Sequence, residues 1–316
     1  MVEFISGISV VCFAASYAVA LACEASRLVF RSGVRGAAMV AFAAAGLLAH
    51  TLFLAWRAAH EPAVPLSSAF DWYLLAAWML AGVSLWLTLA APRTAVGLFL
   101  LPVVLGLIGA AQLSSQKPFP QSPATQIWGA IHGSFNLAAS VSVAIGAVAG
   151  LMWLIQAGRL ARKEPPPRGL RLPSLERLSS TAGRCQGIAA WTAAAGFVSG
   201  IVLNAVNRRR GLLETVPWTD PVVLRMATVV AWLVAAAVVV RVTGRRVDGP
   251  RIAARVALVS FAVLTASILW GIFGASRHGV PATIPADGHE PLPAAREAAV
   301  PTARDAAPLT PGEAAP

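Results

Sequence analysis

The sequence predicts an all-α, polytopic integral membrane protein of about eight transmembrane helices, and three observations predict it. Hydrophobic residues make up 57% of the 316 positions and charged residues only 12%, with a mean hydropathy of +0.68, outside the range of a soluble domain. The apolar residues gather into runs nearly free of charge, each close to the roughly 20 residues a helix needs to cross about 30 Å of hydrocarbon. Most Lys and Arg residues fall in the connections between those runs. In lipid no water satisfies a bare amide, so runs of this length must be helical.

The runs are 4–23, 36–56, 72–91, 94–113, 127–155, 185–205, 222–240 and 256–274. The first is expected to stay uncleaved: Met1-Val2-Glu3 offers no basic leader, Arg27, Arg31 and Arg35 follow the apolar stretch, and Cys23 after Ala-Leu-Ala matches a lipoprotein site only loosely. The second carries His50, six residues from its end and so about 9 Å inside it. The fifth opens on Trp128 and His132, and Asn136 and Ser140 follow His132 at four-residue spacing, a polar stripe on one helix face. The fifth and sixth hold small residues four apart, Gly146 with Gly150 and Gly196 with Gly200, which permits close approach of helix backbones. The seventh has to accommodate Arg225 near its start, by snorkelling. Residues 1–276 are read as one helical membrane domain, and 277–316, rich in Pro and Ala, as a disordered tail. In the longest connection, 161–182, Ser174 is placed to cap a short helix lying at the membrane surface.

Basic residues resist translocation, so their distribution orients the chain. The connections after the first, third, fifth and seventh runs hold 16 of the 25 Lys and Arg residues and the opposite side holds 9, which places both termini outside. Arg208, Arg209 and Arg210 run against this rule on the outer side. The net charge of +11 lies mostly in short loops at helix ends, which points to topology and anionic lipid and away from nucleic acid. The three cysteines form no CxxC pair, which excludes a thiol reductant and covalent c-type haem attachment, so any haem is held non-covalently.

His50, His60, His132 and His278 all fall toward the outer side. Two neutral imidazoles from different helices can provide axial ligands to a haem iron, and His132 with His278 is the expected pair. Between them in sequence lies a connection that offers Trp218 as an aromatic face, with Arg208, Arg209 and Arg210 as partners for the two propionates. Each residue also has an ordinary reading. Tryptophan and histidine belong at membrane boundaries, the arginines can meet lipid phosphates, His50 can hydrogen-bond a neighbouring helix, and His60 beside Glu61 is expected to be solvated.

Several segments in order resemble the cytochrome c assembly membrane proteins, the group that includes CcsA, CcmC and HemX-like members. They are His50-Thr51-Leu52-Phe53-Leu54, Trp128 with His132-Gly133, Gly150-Leu151-Met152-Trp153-Leu154-Ile155-Gln156, Leu160-Ala161-Arg162-Lys163, Leu172-Pro173-Ser174-Leu175-Glu176, Asp220-Pro221 and Gly244-Arg245-Arg246. The resemblance spans the second to eighth runs. It implies haem bound at the outer face of a bacterial-type inner membrane, between histidines flanking a tryptophan-rich loop, at the positions of His132 and His278. It also implies cofactor contacts at Trp218 and Asp220, and a deeper haem site at His50. The usual tryptophan-dense segment ending in Trp-Asp-Pro-Lys-Glu is reduced here to Trp218-Thr219-Asp220-Pro221-Val222-Val223, which is closer to HemX-like members.

The expected function is therefore a haem-binding protein of cytochrome c biogenesis. It would present haem to an apocytochrome c beside a ResB-like membrane partner, and be at most part of a haem lyase complex. The alternative is a HemX-like, non-enzymatic membrane regulator of haem biosynthesis acting through residues 161–182. A small-molecule transporter would need a midplane site and usually internal repeats, and neither is evident.

Overall fold

The computed structural model describes residues 9–26, 33–60, 68–92, 94–117, 123–163, 171–209 and 217–273. They form eight helices: α1 Val10–Ser26, α2 Gly33–His60, α3 Ala69–Ala90, α4 Gly97–Gln112, α5 Pro123–Ala161, α6 Leu175–Arg209, α7 Pro221–Thr243 and α8 Gly249–Phe273. No strand occurs among the described residues. The tail expected from residue 277 onward lies outside them.

Six of the helices, α2, α3, α5, α6, α7 and α8, are long and apolar enough to cross a membrane. The other two expected spans are shorter: α1 has 17 residues and α4 has 16, about 26 and 24 Å at 1.5 Å per residue. Large apolar side chains such as Trp86, Trp191 and Trp270 lie on the outside of the bundle, the arrangement expected where the surroundings are hydrocarbon. The chain is a polytopic all-α membrane protein.

Consecutive helices run up and down and give the bundle two ends. The last turns of α2, α4, α6 and α8 and the first turns of α3, α5 and α7 lie at the end that carries His132, here the histidine end. The opposite helix ends lie at the basic end. Helices α1 to α4 pack on one another, as do α5 to α8, and α5 also touches α3 and α4. One core joins Phe13, Tyr17, Leu74, Leu80, Leu100 and Val104 to Val141 and Val148 of α5. A second joins Ala139 and Val143 of α5 to Ala189, Ala193, Val229 and Leu233. Helix α5 belongs to both, and 56% of its membrane segment is buried against 17% for α2 and for α7. It is the common wall of the molecule.

Glycine brings α5 close to its neighbours. A Cβ on Gly150 would lie 2.7 Å from the Ala254 carbonyl oxygen of α8, and one on Gly146 would lie 3.1 Å from the Cys185 Cβ of α6. The first contact is the backbone approach that small residues at four-residue spacing allow.

Local chemistry fixes the helix starts. At α3, Ser68 and Asp71 form a reciprocal capping box. The same Asp71 carboxylate accepts from Arg57 Nε of α2 at 2.5 Å, and the Arg57 guanidinium lies over the Phe70 ring. At α6, Ser174 Oγ accepts from the Arg177 N–H and its carbonyl from Leu178 N–H. The short surface helix expected after Ser174 is in fact the first turns of α6 itself. Leu178 and Ala182, one turn apart, are buried in the core, so continuing the helix removes apolar area from water. The start of α6 is also tied to the α3–α4 connection, where Ala95 N–H donates to the Arg171 carbonyl at 3.1 Å.

Candidate functional site

His132 projects from α5 toward α6. Its Nδ1 lies 2.7 Å from the Gly196 carbonyl oxygen. A carbonyl can only accept, so Nδ1 carries the proton and Nε2 presents a lone pair. Asn136, one turn further along α5, places Nδ2 at 2.9 Å from the His132 carbonyl and at 3.1 Å from that lone pair. Ser140, the third member of the stripe, donates back to the Asn136 carbonyl and so serves its own helix.

The glycines of α6 make this arrangement possible. A Cβ on Gly200 would lie 2.9 Å from His132 Cε1, and one on Gly196 would lie 3.1 Å from Asn136 Oδ1. Gly196 and Gly200 therefore admit two side chains, not the backbone of another helix as the spacing alone suggested. Ser199 Oγ also donates to the Gly196 carbonyl, at 2.7 Å, which holds this acceptor in place. On the α3 side the Trp72 ring lies directly against Gly133.

His50 has a different environment. It is 0% exposed, and its ring stacks on Phe13 of α1 with centroids 4.1 Å apart and planes 4° apart. Tyr17 Oη lies 3.4 Å from Nδ1, while Nε2 is buried with no hydrogen-bond partner. Helix α2 continues past Trp56 to His60, so His50 lies ten residues, about 15 Å, from that helix end. This is deeper than the 9 Å read from the apolar run. Sequence reasoning missed Phe13, Tyr17 and Gly46, where a Cβ would lie 2.9 Å from Tyr17 Cε1.

The remaining expected residues are spread out. Trp218 is 47% exposed on a turn closed by Asp220 N–H donating to the Pro217 carbonyl at 3.0 Å. Asp220 is buried, and its Oδ1 accepts from Val222 N–H at 2.8 Å. With Pro221 at the first helical position, this makes Asp220 the N-cap of α7. Arg208 and Arg209 are exposed in the last turn of α6, where cations suit the negative end of the helix dipole. That gives these two arginines a local reason to lie at this end. Arg210, His278 and the His60 side chain lie outside the described residues.

Two further charged groups were unexpected in their placement. Glu24 is buried at the basic end near Gly97 and Ser84, although it lies just beyond the first apolar run. Arg225 has its Nε buried and its guanidinium against Gly271 of α8. Among the described residues no group of three or more His, Cys, Asp and Glu side chains is arranged to hold a bare metal ion.

Comparison with family models, with curated proteins and with solved structures gave no match. The class that fold and site define is a multi-pass helical membrane protein with one imidazole held by the α5–α6 contact and another buried between α1 and α2.

Proposed function

We propose that this protein binds haem non-covalently at its histidine end, as a membrane protein of cytochrome c biogenesis in a bacterial-type inner membrane. The observation that carries the reading is the state of His132. Its Nδ1–H is held by the Gly196 carbonyl, the arrangement that orients a ligating histidine and leaves Nε2 as a neutral donor. Asn136 Nδ2 stands 3.1 Å from that lone pair, and a neutral amide can be displaced by a metal. His278, five residues beyond α8 in sequence, is the proposed second ligand, and the exposed Trp218 ring is an aromatic surface for the macrocycle. Asp220 enters this reading as the residue that sets the start of α7 beside Trp218.

Bound haem would supply the vinyl groups that react with the cysteine thiols of an apocytochrome c. The chain's own part is to hold and orient, with a ResB-like membrane protein as partner and both termini on the outer side. The absorption spectrum of the full-length protein in detergent, oxidised and reduced, tests the reading. We expect a Soret band with bis-histidine character that is lost in His132→Ala and in His278→Ala. Absence of haem after reconstitution would overturn it.

One observation favours the regulator reading as the second. At the basic end an open polar groove of about 400 Å³ is lined by Ser174, Glu176, Arg177, Ser180, Thr181 and Arg184, in and beside the 161–182 segment. If the protein acts as a regulator, changes at Arg177 and Arg184 will alter haem biosynthesis and His132→Ala will not.

A further inference from the structure

Arg225 lies one turn into α7, about 6 Å along the axis from its first residue. Its Nε is buried without a hydrogen-bond partner, and no acid among the described residues pairs with it. Asp220, the acid nearest in sequence, caps α7. Gly271 of α8 faces the guanidinium: a Cβ there would lie 3.1 Å from Nη1, 3.2 Å from Nη2 and 3.4 Å from Cζ. Tyr73 of α3 is within electrostatic reach of the same group. Gly271 of α8 thus lies against the cation, and Tyr73 of α3 is near enough to feel its charge.

An arginine cannot escape such a place by losing its proton, as a lysine or histidine can. A fixed charge held partly within a helical membrane bundle is unfavourable unless an opposite charge meets it. Among the described residues no such charge meets Arg225, and an anion from outside the protein fits the place. The planar guanidinium fork matches a carboxylate or a phosphate.

We propose that Arg225 is the receptor for an oxyanion, a carboxylate or a phosphate, that enters at the histidine end among α3, α7 and α8, with the Tyr73 hydroxyl as a second donor. If the oxyanion is a haem propionate, the assignment rests on the haem reading above and moves the propionate contact from Arg208, Arg209 and Arg210 to Arg225. If it is a lipid phosphate, the assignment stands apart from that reading.

The test uses full-length protein with two probes. Haemin is titrated into wild type, Arg225→Gln and His132→Ala in detergent, and native mass spectrometry follows phosphatidylglycerol retained from mixed phosphatidylglycerol and phosphatidylcholine nanodiscs. For a propionate site, Arg225→Gln weakens haemin binding about ten- to a hundred-fold, the range of a charge-assisted contact. The Soret position does not change, because the iron ligands remain, whereas His132→Ala alters the band itself. For a phosphate site, Arg225→Gln releases phosphatidylglycerol and leaves haemin affinity unchanged. If wild type binds no haemin, the haem reading fails and lipid retention alone decides. Should Arg225→Gln not fold, Gly271→Ala keeps the charge, narrows the seat and is expected to weaken the same ligand several-fold. Unchanged haemin affinity together with unchanged lipid retention in the folded variant would overturn the proposal.

Discussion

His132 and His50 are the same residue in the same kind of helix, yet their surroundings are opposite. His132 is partly accessible, has both ring nitrogens within hydrogen-bond distance of protein groups, and owes this to two glycines on the facing helix. His50 is fully buried, is matched in shape by Phe13, and keeps Nε2 without any partner. A buried polar atom left unpaired costs about 1–3 kcal/mol, whereas a made hydrogen bond contributes only about 1 kcal/mol. The first histidine is therefore part of what joins α5 to α6. The second is held by packing, against its own polarity.

The largest effect should come from closing the space around His132. Gly200→Val puts a branched side chain where even a Cβ would be 2.9 Å from the ring, so either His132 or the α5–α6 contact must move. Overpacking of this kind costs about 1–3 kcal/mol. Thermal unfolding of the purified variant in detergent should show a loss in that range, and an unchanged midpoint would mean that the ring swings away freely. Next comes His132→Leu. It removes the donor to Gly196 and leaves the inward Asn136 amide facing an apolar group, for an expected loss of about 1–2 kcal/mol. Asn136→Leu in the same background should cost less than it does alone, because the contact to the imidazole is already gone and only the bond to the residue-132 carbonyl remains to be lost. Non-additivity in this double-mutant cycle is the check.

Much of this molecule was legible in the sequence, for a physical reason. Lipid forces every spanning backbone into a helix, so the eight apolar runs located eight helices. Their ends were less legible. Helix α6 begins ten residues before its apolar run because Leu178 and Ala182 bury against the core, and α2 continues to His60. At the site, the residue types were visible but their partners were not: His132 meets Gly196 across 64 positions and His50 meets Tyr17 across 33. One signal was available and was read too narrowly. Asn136 follows His132 by four residues on α5, and Gly200 follows Gly196 by four on α6, so a polar pair and a glycine pair of equal spacing lie on successive helices. Asp220-Pro221 was likewise readable as a helix cap followed by a first-turn proline, and the structure places it so.

The smaller effects lie around His50. Tyr17→Phe deletes a hydroxyl that reaches Nδ1 at only 3.4 Å, and hydrogen bonds between membrane helices average about 0.6 kcal/mol. A loss of that order in thermal unfolding is expected, and a loss several times larger would show that Tyr17 anchors the α1–α2 contact by more than this bond.

His50→Leu is the smallest and the most informative. Leucine fills similar volume beside Phe13 and removes the unpaired Nε2, so the change should be neutral or raise the unfolding midpoint slightly. A histidine whose removal stabilises the fold is not there for the fold, and function is then the remaining reason for its presence. A clear loss of stability in His50→Leu would reverse that conclusion: the stacked imidazole would then be a packing element like Phe13 itself, and His132 would be left as the histidine in the described helices that points to a ligand.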